Sequence, residues 1–233
     1  MKSSFTKKRI AGGVLQGLVI TSLAFAGNAT AHEKGDIVVR GGFTNVSPND
    51  DASNVFAGGA DLGVSLTVDS NTQIGLTFAY FVTDNINIEV LAATPFTHNV
   101  NFSVADPLGT GTKLGEVSHL PPSVTANYYF FDASSAFQPY VGAGLNFTIF
   151  FDEEFTSSNA NAGLSDLDLD NSFGFTAQLG ADYKFDDTWH LNASVRWIDI
   201  DTEANFKVGE VAGEVSDIQI DPAVFTVSLG YTF

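Results

Sequence analysis

Four histidines, a run of spaced aspartates and a few isolated charges are the residues of this chain that could do chemistry. His98 and His119 lie near Glu116, Ser118 and Ser123 in the sequence. These are the residue types of a base, an orienting acid and a nucleophile. No local signature accompanies them, and His119 stands before Leu120-Pro121-Pro122, where it shapes the entry to a following strand. His32 and His190 stand apart. The stretch Asp166-x-Asp168-x-Asp170-Asn171 begins like a calcium loop. That twelve-residue loop also needs Gly at its sixth position and Glu at its twelfth, and this chain has Asn171 and Ala177 there. The residues therefore predict no enzyme, no metal and no cofactor.

What remains is charge set among apolar neighbours. Arg40, Glu89, Asp182, Lys184 and Arg196 all fall in segments where large apolar residues recur at every second position. Period-two alternation marks strands with one apolar and one polar face. Eight such segments are present. They are centred on Ile37–Thr44, Ile74–Tyr80, Ile86–Ala92, Val124–Phe130, Val141–Ile149, Phe173–Phe185, Leu191–Trp197 and Phe225–Phe233. In the last one Phe225, Val227, Leu229, Tyr231 and Phe233 alternate with Thr226, Ser228, Gly230 and Thr232. A strand ending on an aromatic, with Tyr two residues before it, resembles the signal read by the barrel-assembly machinery of Gram-negative bacteria.

Connection lengths alternate as well. Thr83–Asn85, Asp132–Phe137 and Asp186–Thr188 are short and polar. The stretches near 47–71, 97–120, 152–171 and 201–221 are long. Short turns at one end and long loops at the other are the pattern of a transmembrane barrel. The fold expected is all-β: an eight-stranded antiparallel transmembrane β-barrel with short periplasmic turns and four long extracellular loops.

The chain opens with Lys2, Lys7, Lys8 and Arg9, an apolar run from Ile10 to Phe25, and Ala29-Thr30-Ala31. This is the layout of a secretory signal peptide. Residues 1–31 are expected to be that signal and 32–233 the barrel. Export without any cysteine removes disulfides as a source of stability. A closed barrel has another, because every backbone hydrogen bond is made between strands. Ten Lys and Arg face 27 Asp and Glu, a formal charge of −17, and the leader carries four of the cations. Nucleic-acid binding needs the opposite sign. The acids concentrate in the long connections, where a solvated surface is the simpler reading than a cation-collecting rim.

Longer words narrow the reading. His32-Glu33, Asn71–Phe78 (NTQIGLTF), Thr83–Asn85 (TDN), Glu89–Phe96 (EVLAATPF), His119–Pro122 (HLPP), Phe131–Ser135 (FDASS), Pro139–Gly144 (PYVGAG), Ala162–Leu167 (AGLSDL) and Asp199–Thr202 (DIDT) occur in this order. Together they resemble the OmpW family of outer-membrane proteins over the whole of 32–233. The resemblance implies a narrow, largely apolar interior that moves small hydrophobic molecules into or through the outer membrane. The other reading is a structural or adhesive barrel, plugged inside, that acts through its acidic loops. Either way the expected setting is the outer membrane, with both termini periplasmic. The expected partners are lipid and lipopolysaccharide, the assembly machinery and small hydrophobic solutes, and the expected state is a monomer.

Eight strands enclose a space barely wide enough for side chains. The residues expected to line or constrict it are Val38, Arg40, Glu89, Leu91, Tyr129, Tyr140, Arg196 and Ile198. Thr77, Asn146, Thr148, Gln178, Asp182 and Lys184 share the same parity. Buried charges without partners are costly, so Arg40, Glu89 and Arg196 are expected to share one network. Leu91 and Arg196 are the expected constriction. Phe81, Phe96, Phe130, Phe131, Phe137, Tyr140, Phe150, Phe151, Phe173, Phe185, Trp189 and Phe233 lie at strand ends, where aromatic rings favour headgroup depth.

Overall fold

The structure, a computed structural model, describes residues 32–49, 51–52, 54–103, 108–132 and 134–233. The expected leader, 1–31, lies outside these. Eight strands form the barrel wall. They are β1 Ile37–Ser47, β2 Asn71–Phe81, β3 Ile86–Ala93, β4 Ser123–Tyr129, β5 Phe137–Phe155, β6 Ser172–Lys184, β7 Trp189–Ile198 and β8 Ala223–Thr232. Each pairs antiparallel with the next, and β1 closes on β8 from Val38↔Thr232 to Ser47↔Ala223. Closure leaves no unpaired edge in the wall.

Alternation decides which way each side chain faces. Along β8, Val224, Thr226, Ser228 and Gly230 point inward, while Phe225, Val227 and Leu229 stand exposed outside. The same parity exposes Phe43, Leu76, Phe78, Val124, Phe147, Phe175, Leu179 and Trp197. An apolar belt continuous around a barrel is tolerable in lipid and not in water. Rings cluster at the short-turn end. Trp189 meets Tyr231 at 4.9 Å and Tyr231 meets Phe233 at 4.6 Å. Tyr128 meets Phe130 at 5.4 Å and Tyr183 meets Phe185 at 6.0 Å.

Three aromatics placed at the headgroups by type are instead buried: Phe81, Phe96 and Phe150. Tyr140, placed both in the girdle and in the lumen, is in the lumen. The reason is parity. Phe81 continues the inward face of Thr77 and Ala79, Phe150 that of Asn146 and Thr148, and Tyr140 that of Gln138. The pleat fixes the direction of a strand residue before its chemistry does.

The turns follow side-chain chemistry. Thr83 Oγ1 accepts from the backbone N–H of Asn85 and Ile86. Asp186 accepts from Trp189 and Thr188, both at 2.8 Å, and these bonds hold its carboxyl below the usual range.

The long connections are more ordered than their composition suggests. β5 runs 19 residues, well past its neighbours. Its far part pairs with Lys113–Leu120, which pairs with Phe96–Phe102, which pairs with Leu66–Val68. Leu164–Leu169, Asp201–Val208 and Val211–Gln219 form a second sheet, joined by the short segments Asp51–Ala52, Phe56–Ala57 and Ala60–Asp61. A short helix, α1 (Ser157–Asn161), is capped by the Thr156 side chain. Asp166 and Asp168 lie within the bulged strand Leu164–Leu169, and Asp170 follows its end. Asp166 takes a left-handed φ of 54° at a bulge and pairs with Lys207 at 2.7 Å.

Candidate functional site

The interior has two unlike halves. Toward the short turns it is filled with hydrogen-bonded charge; toward the long loops it is apolar.

In the polar half, Arg40 on β1 is 1% exposed, so its five donors must be answered by protein. It donates to Glu89 of β3 at 2.8 Å, to Asp182 of β6 at 2.8 Å, to the Tyr129 hydroxyl of β4 at 3.0 Å and to His190 Nε2 of β7 at 3.2 Å. His190 accepts that bond, so its Nε2 carries no proton. Its 3.8 Å approach to Asp182 through the same atom is a contact and not an ion pair. Asp182 also accepts from Tyr129 at 3.0 Å and from Asn192 at 2.7 Å, and His32 Nε2 lies 3.3 Å away. Asn192 donates in addition to Tyr140 at 3.0 Å. One layer further from the turns, Arg196 donates to Glu89 at 2.8 Å and to Gln178 at 2.6 Å. Two guanidinium groups thus face two carboxylates, and the network is close to neutral as a whole.

The turn end of this half is stoppered by rings. His32 stacks on Phe81 at 4.3 Å and meets Tyr129 edge-on at 5.5 Å, while Tyr129 and Tyr140 lie 4.8 Å apart. Val38 and Ala79 complete this cluster.

All eight expected lining residues, Val38, Arg40, Glu89, Leu91, Tyr129, Tyr140, Arg196 and Ile198, face inward and are buried. They do not form one surface. Arg40, Glu89, Tyr129, Tyr140 and Arg196 belong to the polar network. Val38 packs with the ring stopper, and Ile198 with the apolar half. Leu91 lies beside Thr77 and Ser123 in register.

The apolar half starts where Ile198 packs with Val46, Phe96, Val117, Phe150, Ile200 and Val224. Beyond them a cavity of about 90 Å³ opens toward the long loops. One wall comes from Leu66, Val100 and Val117 of the first outer sheet. The other comes from Leu167, Leu169, Val215 and Ile218 of the second. His98 and His119 are its polar members. His98 Nδ1 lies 2.5 Å from the Asp69 carbonyl oxygen, and the Nε2 atoms of the two histidines are 3.0 Å apart. Both rings stack with Phe96. The serines near them in sequence turn elsewhere: Ser118 bonds Thr97, Ser123 bonds the Pro121 carbonyl, and Glu116 pairs with Lys113. Sequence reasoning missed the second wall because its residues sit in acidic, loop-like segments. The alternation of Leu167 and Leu169 was the signal for it.

A closed eight-stranded barrel with an apolar belt, an aromatic girdle and a charge-filled interior is a transmembrane β-barrel of the outer-membrane class. The model of the OmpW family matches residues 33–233, and the chain belongs to that family. It is 47% identical to outer membrane protein W of Vibrio cholerae over 217 residues, covering 93% of this chain and 97% of the relative. To outer membrane protein W of Escherichia coli it is 45% identical over 216 residues, covering 93% and 96%. The crystal structure of OprG from Pseudomonas aeruginosa is similar with a TM-score of 0.82 at 38% identity, covering 88% of this chain and 99% of that one.

Proposed function

We propose that the barrel captures small hydrophobic molecules from outside the cell in the loop-end cavity and passes them into the outer membrane. The observation that carries this reading is the contrast between the two halves: an apolar cavity open toward the loops, above a buried, hydrogen-bonded ionic plug. A hydrophobic solute enters the first readily. It cannot proceed along the axis without separating charges whose partners are buried. Release is therefore sideways, through the wall. In this reading the loops face outward, both termini face the periplasm, residues 1–31 are a cleaved leader, and the assembly machinery inserts the barrel. Leu91 and Arg196 belong to the floor that stops axial passage.

The test is uptake of an apolar fluorophore by outer-membrane vesicles, with planar-bilayer conductance measured on the same protein. Wild type should speed uptake while passing little ion current. Val117→Trp fills the cavity and should abolish the gain. The sealed plug also favours a second reading, a barrel acting only through its acidic loops. Uptake unaffected by Val117→Trp, with function lost when the loops are shortened, would select it.

A further inference from the structure

The two outer sheets part along a line that begins in the barrel wall. β5 and β6 are paired up to Thr148↔Ser172. Past that pair β5 bonds only to Lys113–Leu120 of the first sheet, with a bulge and a left-handed φ of 52° at Asp152. The chain leading into β6, Leu164–Leu169, bonds only to Asp201–Val208 of the second sheet. Among the described residues no ladder pair joins 149–155 to 164–171. Asp170 shows why. In the register of β5 and β6 it would face Phe150. Its N–H instead goes to the Glu203 carbonyl at 3.0 Å, and its carbonyl accepts from the Thr202 hydroxyl at 2.6 Å. The Phe150 N–H is met by the Asn171 side chain, which accepts at 3.1 Å. Above this bond the two lips meet through apolar side chains. Leu167 and Leu169 pack against the cluster that holds Phe150, and Phe155 meets Phe206 edge-on at 6.2 Å.

This seam borders the cavity on one side and lipid on the other. Phe150, Leu167 and Leu169 line the cavity, and both leucines are half-buried, within reach of a solute. Outside the base of the seam, Phe147, Ile149, Phe173 and Phe175 stand exposed on the lipid face. Higher up, its outer surface carries Asp152, Glu154, Asp166, Asp168 and Asp170, all exposed. An apolar solute crosses the apolar base more cheaply than the acids above it. Parting two fully paired wall strands would strip a run of backbone bonds in an apolar medium. Parting the seam at its base breaks one side-chain hydrogen bond and apolar contacts that the solute itself replaces. We propose that solutes leave the cavity at the base of this seam, between Ile149 and Asn171, with the bond from Phe150 N–H to Asn171 as the latch. This rests on the reading of the barrel as a carrier of small hydrophobic molecules and adds the place where they leave it.

The experiment follows N-phenyl-1-naphthylamine, dark in water and bright in lipid, entering outer-membrane vesicles that carry the full barrel. Ile149→Cys with Asn171→Cys introduces the only cysteines of the chain. The two positions come directly after Thr148↔Ser172, and both side chains are exposed. Oxidised, the pair ties the base shut, and delivery should fall to the rate of vesicles without the barrel. Reduced, it lacks the latch, and delivery should exceed wild type. Asn171→Ala should do the same, by about fivefold for one neutral hydrogen bond. A control disulfide between Phe43→Cys and Ile74→Cys, register partners on the lipid face of β1 and β2, should leave the wild-type rate unchanged. Equal delivery by the oxidised and reduced forms, equal slowing by the control disulfide, or an Asn171→Ala rate no higher than wild type each overturns the inference and leaves the carrier reading standing. Should the paired-cysteine barrel fail to fold, the Asn171→Ala rate decides alone. Wild-type vesicles no faster than vesicles without the barrel would overturn the carrier reading and the exit with it.

Discussion

Replacing Arg40 with Met tests whether the interior is one charge-balanced unit. Methionine fills much of the same space, so the effect is electrostatic. Arg40 makes four hydrogen bonds, two of them to buried carboxylates at 2.8 Å. Breaking a buried pair by removing one partner costs roughly 3–5 kcal/mol, because a charge is left uncompensated. Here Asp182 keeps Tyr129 and Asn192, and Glu89 keeps Arg196. The loss should therefore fall near the lower end, about 3 kcal/mol. Urea unfolding in lipid vesicles measures it, followed by the two tryptophans, Trp189 and Trp197, both on the lipid face. Adding Asp182→Asn to Arg40→Met should recover about 1–2 kcal/mol, since the orphaned charge is then gone. A loss under about 1 kcal/mol for Arg40→Met, or additive effects in the double variant, would refute the account of a coupled network.

Three more outcomes are expected. Deleting Phe233 should lower the yield of heat-modifiable barrel before it alters uptake, because Phe233 N–H closes the seam onto the Ile37 carbonyl at 2.9 Å and its ring packs on Tyr231. His119 is neutral in the folded barrel, with its pKa lowered from 6.5 to about 3. The unfolded chain thus takes up the proton first as pH falls. Stability from this group is full above about 6.5 and is lost progressively toward 3, roughly 3 kcal/mol by pH 4.5. His119→Phe should flatten that part of the urea-midpoint profile. Gly42→Ala should block folding of the β1–β8 seam, since an added Cβ would stand 2.1 Å from the Val227 carbonyl oxygen, which is backbone and cannot turn aside. Normal folding yield of that variant would show the seam to be looser than described.

Much of the wall was legible because period-two alternation reports directly on a pleated strand. Phe225, Val227 and Leu229 face outward and Thr226 and Ser228 inward, as their spacing predicts. The shared network of Arg40, Glu89 and Arg196 followed from the cost of burying lone charges. The neutral residues that complete it, Asn192 and His190, did not, because neutral polar residues in a strand carry no sign of what they face. Phe81, Phe96 and Phe150 were misplaced by weighing aromatic chemistry above parity. The loop-end cavity was legible only in the alternation of Leu167 and Leu169. It depends on two outer sheets approaching each other across long sequence separations. Nothing local to Leu66 or Val100 marks Leu169 or Val215 as the opposite wall.

Arg40 reaches side chains on β3, β4, β6 and β7 from its place on β1, the strand that closes the wall. None of those partners is its neighbour in the sheet, so none can be met until the cylinder is nearly complete. A slip of one residue along β1 would turn the guanidinium outward, where lipid exposure costs about 2–4 kcal/mol at mid-depth. The same slip would leave Asp182 without its strongest donor inside. The ionic plug therefore also proofreads assembly, because a barrel shut in the wrong register is penalised on both faces at once.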